Sequence, residues 1–146
     1  MNCSEVMTRD PNCCLPTDTV FDAAQLMKSE NVGPIPIVND REKNKLEGIV
    51  TDRDLALKVV AEGLDPKDTR VREVMTTGVV TCRADDNVND ALDLMEQHQL
   101  RRIPIVDGND RLVGIIAQAD IATRLEAPEK TAEVVEEISK AASSRP

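Results

Sequence analysis

Ile35-Pro36-Ile37-Val38 is written twice in this chain: it returns 68 residues later as Ile103-Pro104-Ile105-Val106. Working outward, the same offset relates Val6-Met7-Thr8 to Val74-Met75-Thr76, Asp22-Ala23 to Asp90-Ala91, and Leu26-Met27 to Leu94-Met95. Between Val6 and Val38 it gives 14 identities in 33 positions. Beyond Val38 the offset falls to 66: Leu46 matches Leu112, Gly48-Ile49 matches Gly114-Ile115, and Asp54 matches Asp120. The first copy therefore holds two extra residues within 40–45, a charged stretch that reads as a turn tolerant of insertion. A duplicated unit of this kind is expected to pack against its copy about a pseudo-twofold axis. Clefts related by that axis are then the natural places for function.

Each copy alternates helical and strand periodicity. Val20, Ala23, Ala24 and Met27 fall at i, i+3, i+4 and i+7, behind a capping Asp18 or Thr19. Val88, Ala91, Leu92 and Met95 repeat that stripe behind Asp86 or Asn87. Val20, Ala24, Met27, Val88, Leu92 and Met95 are expected in the core. Two β-branched runs follow in each copy, 35–38 with 46–51 and 103–106 with 112–117, each pair reading as a hairpin. Pro36 and Pro104 mark strand starts or edges, since a central strand resists proline. A second helix is expected at 52–61 and at 118–125, and a short strand near Cys13-Cys14 and at 79–82. The order per copy is β-α-β-β-α, a mixed α/β (α+β) fold. The expected organisation is repeat 1 over 1–62, a linker over 63–70, repeat 2 over 71–126, and a C-terminal helix and tail over 127–146. In that helix Val134, Val135 and Ile138 form the apolar side.

Composition limits the function classes. A formal net charge of −9 and a pI near 4.6 oppose a nucleic-acid surface, which needs a basic field. They also disfavour anionic membranes. No apolar run approaches the ~20 residues of a membrane span. Met1-Asn2-Cys3-Ser4-Glu5 lacks the basic start and apolar core of a signal peptide, so a cytoplasmic location is expected. The four cysteines have no Cys-x-x-Cys spacing, and His98 is the single histidine, so no metal site is expected. Cys14 and Cys82 occupy equivalent positions and read as small buried hydrophobes. With one histidine and no nucleophile–base set, no enzymatic activity is expected.

Gly48-Ile49-Val50-Thr51-Asp52-Arg53-Asp54 is a strand running into a helix. Its helix start offers free N–H groups that suit a phosphate, and a carboxylate at Asp54 can accept both hydroxyls of a ribose diol. Equally, Thr51 is a good N-cap and Asp54 favours the helix dipole with no ligand at all. The second copy reads Gly114-Ile115-Ile116-Ala117-Gln118-Ala119-Asp120: the glycine and acid persist, while the hydroxyl and guanidinium do not.

These motifs, twice and in order, resemble cystathionine-β-synthase (CBS) domains arranged as a tandem pair, or Bateman module, over about 4–125. The stand-alone bacterial two-CBS proteins, hypoxia-response members among them, are the similar group. The resemblance implies a non-catalytic regulatory or sensory module that binds an adenosyl ligand (AMP, ADP, ATP, NAD or S-adenosylmethionine) in two clefts between the repeats. It implies a first cleft of Thr51, Arg53 and Asp54 with Val79, Val80 and Ile103 along the base and Arg102 toward phosphate. The second and weaker cleft would use Asp120 with Pro11, Asn12, Gly33, Pro34 and Ile35. It lacks the threonine, and Gly33-Pro34 stands where the first cleft has Arg101-Arg102, a pair that also reads as a surface balance to acidic neighbours. The family pairs modules through helices, so a homodimer is expected, with an unknown protein as possible downstream target. The competing reading is an interaction module whose clefts stay empty.

Overall fold

Two apolar helical stripes and two pairs of β-branched runs must each find a partner face, and each set finds it in a separate core. The computed structural model describes residues 1–124. The expected C-terminal helix, with Val134, Val135 and Ile138, lies outside the described residues, as does Leu125.

The elements are α1 (Cys3–Val6), β1 (Thr8–Arg9), α2 (Val20–Glu30), β2 (Pro34–Val38), β3 (Leu46–Thr51), α3 (Asp52–Leu55), β4 (Cys82–Arg83), α4 (Val88–His98), β5 (Arg102–Val106), β6 (Leu112–Ala117) and α5 (Gln118–Arg124). Among the described residues the chain forms two compact units: 12–79 with 110–112, and 1–11 with 80–109 and 113–124.

In the unit built on 12–79, β2 pairs antiparallel with β3, Ile35 opposite Val50 and Pro36 opposite Ile49. Cys14 bridges to Ile37 in parallel and Thr76 to Ile49 antiparallel, one on each outer side of that hairpin. The other unit repeats this order with longer edges: β1, β6, β5, β4. There Thr8 pairs with Ile115, and Cys82 with Ile105. The equivalences follow the sequence offsets, with one consequence. Val-Met-Thr of the first copy joins the sheet that holds Gly114, and Val-Met-Thr of the second joins the sheet that holds Gly48. Each unit is therefore assembled from pieces of both copies.

The two glycines are the points of closest approach in this exchange. A Cβ on Gly48 would lie 2.8 Å from the Thr76 carbonyl oxygen and 2.9 Å from Met75 Sδ. On Gly114 it would lie 2.7 Å from Met7 Cγ and closer still to Met7 Sδ. The methionine of each Val-Met-Thr motif thus lies on the glycine of the other copy, inside the same unit.

Both cores are aliphatic. One gathers Val20, Ala23, Met27, Ile35, Ile37 and Val50, with Cys14, Val59, Val71 and Val74. The other gathers Val88, Ala91, Leu92, Met95, Ile103 and Ile105, with Cys3, Val6, Met7 and Cys82 among its remaining members. The expected stripe holds except at Ala24, which is exposed while Ala23 is buried. The buried arc of α2 is narrower than the apolar spacing suggests: Val20, Ala23 and Met27 are buried, and Leu26 packs partly buried beside them.

Helix ends are chemically defined. Thr19 Oγ1 accepts from Asp22 N at 3.1 Å, and Asp22 Oδ2 accepts from Thr19 N at 3.2 Å, a reciprocal capping box. Asn31 and Gln99 take left-handed φ to close α2 and α4. The helix expected over 52–61 changes character midway. After α3, residues 56–60 widen into a π-helical stretch in which Ala61 N donates to Ala56 O at 2.9 Å. Pro36 sits inside β2 rather than at a free edge. It is tolerated because the Cys14 side uses it only as an acceptor, from Cys14 N at 3.0 Å.

Candidate functional site

Asp54 stands at the end of β3 because Thr51 turns the strand into the helix. Thr51 keeps an extended backbone, its Oγ1 accepts from Asp54 N at 3.1 Å, and its own N–H donates to Asp54 Oδ2 at 3.0 Å. The other carboxylate oxygen, Oδ1, lies 3.2 Å from Lys58 Nζ, and the Asp54 side chain is only 15% exposed. Lys58 Nζ also donates to Val74 O at 2.9 Å. The carboxylate is thus held on two sides, and the capping role weighed for this pair from sequence is realised. It does not exhaust the group: an ionised carboxylate has about four lone-pair sites, and these contacts use two.

Gly33 brings the strand entry against the helix start. Asp52 N donates to Gly33 O at 3.1 Å, and a Cβ on Gly33 would stand 3.1 Å from Asp52 Oδ1. Pro34 is the register partner of Thr51. Residues assigned to different clefts, Gly33-Pro34 and Thr51–Asp54, are therefore immediate neighbours. Arg53 is exposed, Val79 is half-buried, and Ile35 is sealed in the core. Asn12 Nδ2 donates to Glu30 Oε1 at 2.6 Å.

The other unit carries the second copy of this corner. Asp120 Oδ2 accepts from Ala117 N at 3.3 Å, a longer bond than its Asp54 counterpart, and Ala117 has no hydroxyl to return. Gln118 N donates to Arg101 O at 3.0 Å, as Asp52 does to Gly33. Arg102 is half-buried at the start of β5, Val80 and Pro11 are half-buried, and Ile103 is fully buried. Gln118 Oε1 is buried with no hydrogen-bond partner among the described residues.

Both cleft sets divide between the units. Thr51, Arg53, Asp54 and Val79 lie in one, and Val80, Arg102 and Ile103 in the other. Asn12, Gly33, Pro34 and Ile35 lie in the first, and Pro11 and Asp120 in the second. Lys58 escaped the sequence reading, although its i,i+4 spacing from Asp54 is a legible signal. A separate depression of about 560 Å³ runs along the outer side of α2 between Asn12, Asp22, Ser29 and Arg41.

The thiols are shielded. Burial pushes Cys14 up to about 12, and burial also raises Cys13. Cys3 and Cys82 share a hydrogen bond that raises Cys3 and lowers Cys82. Cys14 and Cys82 are buried, in keeping with their reading as small hydrophobes. Among the described residues no three His, Cys, Asp or Glu side chains gather so as to hold a metal ion, and no helix is long and apolar enough to cross a membrane.

Comparison with known proteins adds an independent observation. The CBS domain model matches residues 3–61 and 71–127. The CBS domain-containing protein YhcV of Bacillus subtilis is 47% identical over 118 residues, 81% of each chain. Hypoxic response protein 1 of Mycobacterium tuberculosis is 36% identical over 121 residues, 83% of this chain and 82% of that one. A crystal structure of Hypoxic Response Protein I with two coordinated zinc ions superposes with a TM-score of 0.77 at 34% identity, covering 86% of this chain and 99% of its own. A crystal structure of CBSX2 in complex with AMP gives a TM-score of 0.71 at 25% identity, covering 84% and 93%.

Proposed function

The chain belongs to the CBS-domain family as a tandem pair, and from that premise we propose that it is a regulatory module binding an adenosyl ligand through Asp54. The observation that carries this reading is the Asp54 carboxylate. It is partly buried, doubly anchored, and still has an acceptor site on each oxygen for a ribose diol. The AMP held by CBSX2 supports the ligand class. Arg102 would meet a phosphate, and Val79, Val80 and Ile103 would line the base. Asp120, with Pro11, Asn12, Gly33, Pro34 and Ile35, would form the weaker site, since its cap is one-sided. The module acts without catalysis, in the cytoplasm.

Titration calorimetry against AMP, ADP, ATP, NAD and S-adenosylmethionine tests the reading. Hydrogen bonds to a charged group are worth about 1.5–3 kcal/mol each, so Asp54→Ala should weaken binding at least about tenfold. Asp120→Ala should matter less. Arg102→Ala should weaken the phosphate-bearing ligands and spare adenosine. If Asp120→Ala abolishes binding and Asp54→Ala leaves it intact, the roles of the two sites are reversed. Failure of every adenosyl compound at millimolar concentration leaves the interaction module as the function.

The same chain is proposed to form a homodimer through the helix that follows β3. Leu57 and Val60 are exposed there, Val60 at 75%, and Leu64 is exposed just beyond the turn that follows, apolar surface that a second copy would cover. Light scattering at micromolar concentration should give twice the chain mass, and a monomer would refute the assembly.

A further inference from the structure

We infer that Lys58 is a positioning residue for the nucleotide site, fixing the plane of the Asp54 carboxylate that a ribose diol would meet; the inference rests on the adenosyl-binding reading above. An exposed Lys–Asp pair at i,i+4 is ordinarily loose. This one is not free to wander. Its ammonium lies 3.2 Å from Asp54 Oδ1 and donates at 2.9 Å to the carbonyl of Val74. That carbonyl belongs to a segment tied to β3 by two backbone bonds, Ile49 N to Thr76 O at 2.9 Å and Thr76 N to Ile49 O at 2.8 Å. Lys58 is therefore anchored to the sheet as well as to the acid.

The division of the carboxylate is the second part of the reasoning. Thr51 N–H occupies one site on Oδ2, and Lys58 occupies one on Oδ1. One acceptor site remains on each oxygen, which is the number that two vicinal hydroxyl donors require. Without Lys58 the carboxylate hangs on the Thr51 bond alone and can turn about its Cβ–Cγ bond. The diol must then order it on binding, and affinity falls through lost pre-organisation. The loss should be confined to ligands that carry the diol.

Calorimetry with AMP and with 2′,3′-dideoxyadenosine 5′-monophosphate on the parent chain, Lys58→Met and Lys58→Arg separates the outcomes. In the parent, AMP should bind at least about tenfold more tightly than the dideoxy compound, the worth of hydrogen bonds to a charged acceptor. In Lys58→Met, AMP should weaken about three- to tenfold while the dideoxy compound is unchanged, as expected for a pre-organisation loss at the diol alone. Lys58→Arg should restore most of the preference, because a guanidinium can reach both acceptors. Should Lys58→Met fail to fold by circular dichroism, Lys58→Gln keeps a donor for Val74 O without the charge and is measured in its place. An unchanged AMP preference in the variant, or equal weakening of both nucleotides, overturns the positioning role and leaves the adenosyl reading standing. A parent chain that binds neither nucleotide, or both equally, overturns the diol reading and this inference with it.

Discussion

Gly48→Ala tests the packing that joins the two copies. A Cβ there would lie 2.8 Å from the Thr76 carbonyl oxygen and 2.9 Å from Met75 Sδ. The sulfur is the far end of a flexible side chain and can swing aside. The carbonyl cannot, because Ile49 N already holds it at 2.9 Å. The segment must therefore move, and the Ile49–Thr76 pair weakens. Overpacking strain of about 1–3 kcal/mol plus about 1 kcal/mol for a compromised hydrogen bond is offset by about 0.4–1 kcal/mol from a stiffer unfolded chain. The net destabilisation is about 2 kcal/mol, a fall in Tm of roughly 4–8 °C for a chain of this size. Gly114→Ala should cost at least as much, because Met7 Cβ, which has no freedom to swing, would lie 3.0 Å away. At Gly108 an added methyl would meet nothing within 4 Å, so Gly108→Ala should stay within about 0.5 kcal/mol of the parent. Urea unfolding followed by circular dichroism reads all three. If Gly48→Ala unfolds at the parent's midpoint with the same m-value, the contact between Val-Met-Thr and glycine does not hold the unit together.

Thr19→Ala removes one half of the α2 capping box and should lower stability by about 1 kcal/mol in the same assay. Cys14 provides a pH dependence: its folded value is raised by burial to about 12 from an ordinary 9.0, so the folded state holds the proton more tightly. Its contribution is complete below pH 9 and is lost as pH rises from 9 toward 12, at a slope approaching about 1.4 kcal/mol per pH unit, and Cys14→Ala should flatten that decline. In the native chain Cys13 should react with a thiol reagent well before Cys3, Cys14 and Cys82, which are buried. Mass mapping that finds Cys14 or Cys82 labelled first would contradict the packing described.

The repeat, the element order within each copy and the corner at Thr51–Asp54 were legible from the sequence, because they rest on local chemistry. Hydrophobic spacing marks a helix whatever it packs against, a threonine three residues before an acid closes a capping box without outside help, and a duplication is visible as letters. Ala24 shows where that reading stops. Apolar spacing states which side of α2 could be buried, and only the packed neighbours decide how wide the buried arc is. The grip of Lys58 on both Asp54 and Val74 is likewise set by where the 71–76 segment comes to rest. The deepest point hidden from the sequence is the exchange of Val-Met-Thr strands. Two nearly identical copies offer each motif two chemically equivalent glycines. Nothing local distinguishes them, so the choice of Gly114 for Met7 and of Gly48 for Met75 belongs to the tertiary structure alone, where chain connectivity and close packing act together.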